Sequence, residues 1–101
     1  MKEQGDKIRY DLIDAECLHE LAKLYTFGCK KYAAENWRVG LPWWKTFGAI
    51  LRHLYKFWRK EDLNDIDPES KAHHLIAAAW GCFSLYWYSQ HRKQFDTRGC
   101  K

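Results

Sequence analysis

One segment dominates what this chain can become. From Leu75 to Trp87 apolar side chains recur on two helical faces at once, Leu75, Ala79, Cys82 and Tyr86 on one, Ile76, Trp80, Phe83 and Trp87 on the other. A helix that is apolar on two sides is buried on two sides. The pattern therefore predicts a helix that packs its own bundle on one face and a second subunit on the other. Between the faces runs a narrower stripe of His74, Ala77, Gly81, Ser84 and Tyr88. Its small members leave room for a ligand or a close helix.

Composition points the same way. A chain of 101 residues argues for one domain, spanning 1–101. A domain of this size buries only about two thirds of the surface its unfolded chain exposes. Yet 17% of the residues are aromatic, six of them Trp, more than three or four short helices can easily cover. A homo-oligomer would cover the excess, since large apolar patches usually mark interfaces. A monomer with widely exposed Trp is the alternative.

The remaining segments also read as helices. Residues 1–13 are a polar lead-in. Asp14 can cap a helix to about Lys31, on which Leu18, Leu21, Ala22, Tyr25, Cys29 and Tyr32 recur at three- and four-residue steps. After a loop over 33–41, Pro42 suits the first turn of a second helix running to about Arg59. There Trp43, Phe47, Ile50, Leu51, Leu54 and Trp58 form an apolar stripe, and Lys45, Arg52, Lys56 and Arg59 form a basic face with His53 at the edge. An acidic loop over 60–67 follows. Asp67-Pro68 then reads as a cap with Pro at the first helical position, starting the third helix. Residues 92–101 are a basic, peripheral tail. The fold class is all-α, a compact three- to four-helix bundle assembling into an oligomer.

The net charge of +4 suits an anionic ligand or weak nucleic-acid contact. The four cysteines form no C-x-x-C pair, and the polar start is not a secretion signal. Free thiols in a cytoplasmic protein are the expectation, with Cys17, Cys29 and Cys82 as small core side chains. The apolar runs are too short for a membrane span, and a zinc site is not expected.

Four groups could carry chemistry. Glu61, Asp62, Asp65 and Asp67 fall within seven positions, and one or two such acids can hold magnesium on a triphosphate. A solvated turn explains the same run. Glu16 and Glu20 share a helix face, although Lys23 also fits an ordinary surface ion pair with Glu20. His53, His73 and His74 flank the acidic loop; an imidazole can ligate metal or, protonated, contact phosphate. Arg9, Lys30, Lys31, Arg38, Arg52 and Lys56 could meet phosphates. No zinc finger, RNP motif or Gly-rich phosphate loop is present, so nucleic acid ranks low as a partner.

The order of motifs adds a resemblance. Asp6-Lys7-Ile8-Arg9-Tyr10-Asp11-Leu12-Ile13 is followed by Glu16 to Leu21 and by Tyr25-Thr26-Phe27-Gly28-Cys29-Lys30-Lys31-Tyr32. Then come Asn36-Trp37, Gly40-Leu41-Pro42-Trp43, Leu51-Arg52-His53-Leu54, Glu61-Asp62, Asp67-Pro68-Glu69-Ser70 and His74-Leu75. This series, over roughly residues 5–88, is similar to the phage-associated family of dATP/dGTP diphosphohydrolase N-terminal domains. The resemblance implies an all-α fold related to MazG-like pyrophosphohydrolases, which act as dimers or tetramers. With magnesium or manganese they cleave a nucleoside triphosphate to monophosphate and pyrophosphate. It makes Glu16, Glu20, Glu61 and Asp65 metal-ligand candidates and Glu61, Asp65 and His53 catalytic candidates. Lys7, Arg9, Lys30, Lys31, Arg52 and His74 become phosphate or base contacts, with Asn36 and Trp37 bordering the base.

This sequence departs from the pattern, which has two E-x-x-E/D pairs on adjacent helices. Glu16 and Glu20 are four apart rather than three, and Glu61 and Asp65 lie in a loop or at its edge. Ala77 and Gly81 stand where the family carries a His and an Asn, which would enlarge a pocket and remove two possible ligands. The leading expectation is a metal-dependent hydrolase of a purine deoxynucleoside triphosphate. The alternative is a phage protein without catalysis that sequesters a nucleotide or a nucleotide-derived immune signal.

Overall fold

The computed structural model describes residues 7–31 and 33–99. The expectations resting on Asp6, Tyr32 and the side chains of Lys30 and Lys31 lie outside the described residues. Three α-helices run through it: α1 (Ala15–Lys31), α2 (Trp43–Trp58) and α3 (His74–His91). Short turns of 3-10 helix occupy Tyr10–Leu12, Asn36–Val39, Leu63–Asp65 and Lys93–Phe95. Among the described residues there is no strand; an isolated antiparallel bridge joins Ile66 to His73.

Asp14 starts α1 as its chemistry dictates. Its Oδ2 accepts from the Cys17 backbone N–H at 3.0 Å, which satisfies one of the unpaired donors of a first turn. That bond holds the Asp14 carboxyl below its ordinary value. Pro42 caps α2 from one residue before its first turn, with φ −50° and ψ 133°.

α3 begins later than Asp67-Pro68 predicts. Residues 68–70 form a turn instead. The Asp67 carboxylate accepts from Ser70 N–H at 3.1 Å, the Asp67 carbonyl accepts from Lys71 N–H, and Asp67 N–H donates to the Ala72 carbonyl. Lys71, at φ +67°, then turns the chain out of any helical path. The cap of α3 is His73, whose Nδ1 accepts from Leu75 N–H at 3.0 Å. Asp67-Pro68 is thus a cap-like pair spent on a closed turn.

α3 is the centre of the fold. It packs most extensively on α2 and less on α1. Its most buried line is the narrow stripe of His74, Ala77, Gly81, Ser84 and Tyr88, joined by Ala78. The small residues there serve a close helix: a Cβ built on Gly81 would stand 2.5 Å from Ile50 Cγ1. Ile50 closes on Gly81 from α2, and Ala77, Gly81 and Ile50 together line the space left beside this contact.

The α2 stripe is rotated from its expected position. Trp43, Thr46 and Ile50 are buried, while Phe47 is 54% and Trp58 81% exposed. The cysteines also differ from expectation. Cys17, Cys29 and Cys82 are exposed thiols rather than core side chains, since the buried lines of α1 and α3 run through Leu21 and through the His74–Tyr88 stripe. Leu75, Phe83 and Tyr86 on the flanks of α3 are exposed as well.

Candidate functional site

Because α1 and α2 each lean on α3, a space remains between them. This cavity has a volume of about 630 Å³. α1 contributes Tyr25 and Phe27, α2 contributes Lys45, Thr46 and His53, and α3 contributes Ala77, Trp80 and Tyr88 to its wall. The loop between α1 and α2 adds Asn36 and Trp37, and the turn before α3 adds Asp67, Glu69 and Ser70.

One part of the wall is aromatic. Tyr25 lies edge-on to Trp37 at 6.0 Å between ring centroids and 6.1 Å from Trp80. Trp37 is fixed from behind, since the Tyr88 hydroxyl donates to the Trp37 carbonyl at 2.6 Å and the Arg38 guanidinium covers its ring at 4.9 Å. Burial pushes the Tyr25 and Tyr88 hydroxyls above their ordinary values, so both stay protonated donors.

The other part is polar and titratable. His53 is half-buried, and its Nδ1 lies 2.9 Å from His74 Nδ1. His74 is fully buried and hydrogen bonded through Nε2 to Asp62 Oδ2 at 2.6 Å. Burial lowers the His53 pKa from its ordinary 6.5, opposed by Asp67 and aided by His74, Arg52 and Lys56. Burial alone would raise Asp67, but hydrogen bonds from Ser70 and Glu69 and the nearby His53 bring it below its ordinary value. Asp67 is therefore ionised at neutral pH.

The predicted residues distribute unevenly around this cavity. Asn36, Trp37 and His53 lie in its wall, and His74 lies directly behind His53. Glu61 is exposed and paired with Arg59 at 3.1 Å, and Asp65 sits 4.0 Å from His73 Nε2. Glu20 pairs with Lys23 at 3.3 Å beside a smaller hollow, and Glu16 is exposed. Arg9 makes a two-pronged exposed bond to Asp11, while Lys7 and Arg52 face solvent. None of these seven lines the cavity. Among the described residues no three His, Cys, Asp or Glu side chains gather as a metal cage.

Sequence reasoning missed Lys45, Thr46, Glu69 and Ser70 as wall residues. The signal for the last two was present in Asp67-Pro68-Glu69-Ser70, but a helix start hid the turn that presents them.

Fold and site together define an all-α domain with an aromatic-walled cavity of ligand size between two helices. A family model described as dATP/dGTP diphosphohydrolase, N-terminal, matches residues 1–98, and the chain belongs to that family. No curated protein and no solved structure matches it.

Proposed function

We propose that the chain binds a purine deoxynucleoside triphosphate in this cavity and hydrolyses it to monophosphate and pyrophosphate. The observation that carries the reading is the cavity itself. Its volume falls within the range of roughly 300–1,000 Å³ typical of small-molecule sites. Its wall also joins two chemistries that a nucleotide needs. Tyr25, Trp37 and Trp80 offer ring surface for a base, with the Asn36 amide able to read a base edge. Lys45 and Ser70 offer donors for phosphate oxygens. The family's description supports the same substrate class.

The residues present fit a cation carried by the phosphates better than a resident metal centre. Magnesium commonly binds through one or two carboxylates, with phosphates and waters completing the shell. Asp67 is tied to its own turn, which leaves Glu69 as the wall carboxylate free to meet such a cation. When bound, magnesium would neutralise phosphate charge and favour attack by water. The side chains of the chain would bind and orient the nucleotide and move the proton.

Binding is tested by following intrinsic tryptophan fluorescence while titrating dGTP, dATP, dCTP and dTTP. The expected result is quenching by the purine nucleotides, weakened about tenfold or more in Trp37→Ala, because stacking contributes ~1–3 kcal/mol per base. No response to any nucleotide in the folded wild type would refute the reading.

A further inference from the structure

We propose that Asp62, His74 and His53 form a proton relay that opens on the cavity at His53 Nε2, with His53 as the base that deprotonates the attacking water. This inference rests on the hydrolytic reading above. The argument starts at Asp62. An ionised carboxylate only accepts hydrogen bonds, so the 2.6 Å contact requires His74 Nε2 to donate to Asp62 Oδ2. In neutral His74 the other nitrogen, Nδ1, is then a bare acceptor. Among the described residues the nitrogen facing it is His53 Nδ1 at 2.9 Å, which must therefore carry the proton. His53 is left with a lone pair on Nε2, and that atom makes no hydrogen bond among the described residues although the ring lines the cavity. The network thus selects one of two tautomers, the one that presents an acceptor to a ligand.

The same geometry gives an accepted proton somewhere to go. When His53 Nε2 takes a proton from water, an N–H bond forms and an O–H bond breaks. The proton on His53 Nδ1 passes to His74 Nδ1, so the positive charge comes to rest on His74. That ring is 0% exposed, and a buried charge is costly unless paired; the Asp62 carboxylate is the pair. The hydroxide left in the cavity attacks the α-phosphorus of the bound nucleotide: a P–O bond forms and the α–β bridging P–O bond breaks. Pyrophosphate departs with that electron pair, and the relay returns its proton to it through His53 Nε2. His53 is the catalytic residue, and His74 and Asp62 are positioning residues that act through it. The lowered pKa of His53 agrees with this role, since it keeps the ring neutral at pH 7.

Two measurements test the relay. The first is a long-range ¹H–¹⁵N correlation spectrum of histidine-labelled free protein at neutral pH, with His53 assigned by the signal lost in His53→Asn. The expected result is a neutral His53 protonated on Nδ1; a neutral His53 protonated on Nε2 overturns the proposal. The second is turnover of dGTP and dATP with magnesium by Asp62→Asn, which keeps an acceptor for His74 Nε2–H but removes the charge. General acid–base catalysis contributes roughly 10²–10⁴-fold, so kcat should fall about 100-fold with KM changed less than about twofold. A folded Asp62→Asn protein with unchanged kcat overturns the relay. If the wild type turns over no nucleotide, the hydrolytic reading fails and the relay's catalytic role fails with it. The His53 tautomer then still decides whether the network exists.

Discussion

Among the described glycines, Gly81 has the closest neighbour. Any side chain there meets Ile50, because the nearest Ile50 carbon would lie 2.5 Å from a new Cβ. Overpacking of a close-packed contact costs ~1–3 kcal/mol. Gly81→Ala should therefore lower the melting temperature, and Ile50→Ala in the same chain should restore part of the loss. Independent, additive losses in the double mutant would contradict the contact. His53 carries a second prediction at this scale. Its folded pKa lies below the ordinary 6.5, so the unfolded chain takes up the proton more readily. Stability is then full above 6.5 and declines as pH falls from 6.5 through the folded value. Thermal melts from pH 7 to pH 5 should show that decline, and His53→Gln should flatten it. An equal decline in the variant would assign the effect to other groups.

At the scale of elements, the cavity exists because α1 and α2 share α3 as their support. The wall segment Asn36–Val39 is held by single bonds, from the Tyr88 hydroxyl to the Trp37 carbonyl and from Arg92 Nε to the Val39 carbonyl at 3.3 Å. Tyr88→Phe removes the shorter one at a cost of about 1 kcal/mol. Amide hydrogens of residues 36–39 should exchange faster in that variant. Unchanged exchange would show that Arg92 and the Arg38 contacts with Trp37 and Trp87 suffice.

The helices themselves were legible in the sequence, because periodicity and the Asp14 cap are local signals. The start of α3 was not. Asp67 followed by Pro68 fits a helix start and a closed turn equally well. The choice fell to a non-local bond, Asp67 N–H to the Ala72 carbonyl, and to the left-handed Lys71. The candidate site was legible in part for the same reason. Asn36, Trp37 and His53 stood out by type and place, whereas Lys45 and Glu69 enter the wall only through the way three helices converge. Nor could spacing reveal that His74, twenty-one residues from His53, would meet it nitrogen to nitrogen.

At the scale of the whole molecule, the chain is a compact helical globule with a radius of gyration of 15.9 Å. Trp58, Phe83 and Tyr86 are 81%, 59% and 68% exposed, more large apolar surface than a monomer ordinarily shows. No helix among the described residues is long and apolar enough to cross a membrane. We propose that a second copy of the chain covers this surface. Light scattering should give a multiple of the 12.2 kDa chain mass, and Phe83→Glu should shift it toward a monomer. A wild-type mass of one chain would contradict the assembly.

The most direct test of the central claim is incubation of the purified protein with a mixed nucleotide panel, with and without magnesium, and chromatography of products and protein-bound material. The account predicts conversion of dATP or dGTP to its monophosphate and pyrophosphate only when the metal is present. An intact nucleotide retained by the protein and released only on denaturation would contradict hydrolysis and identify the cavity as a site of sequestration.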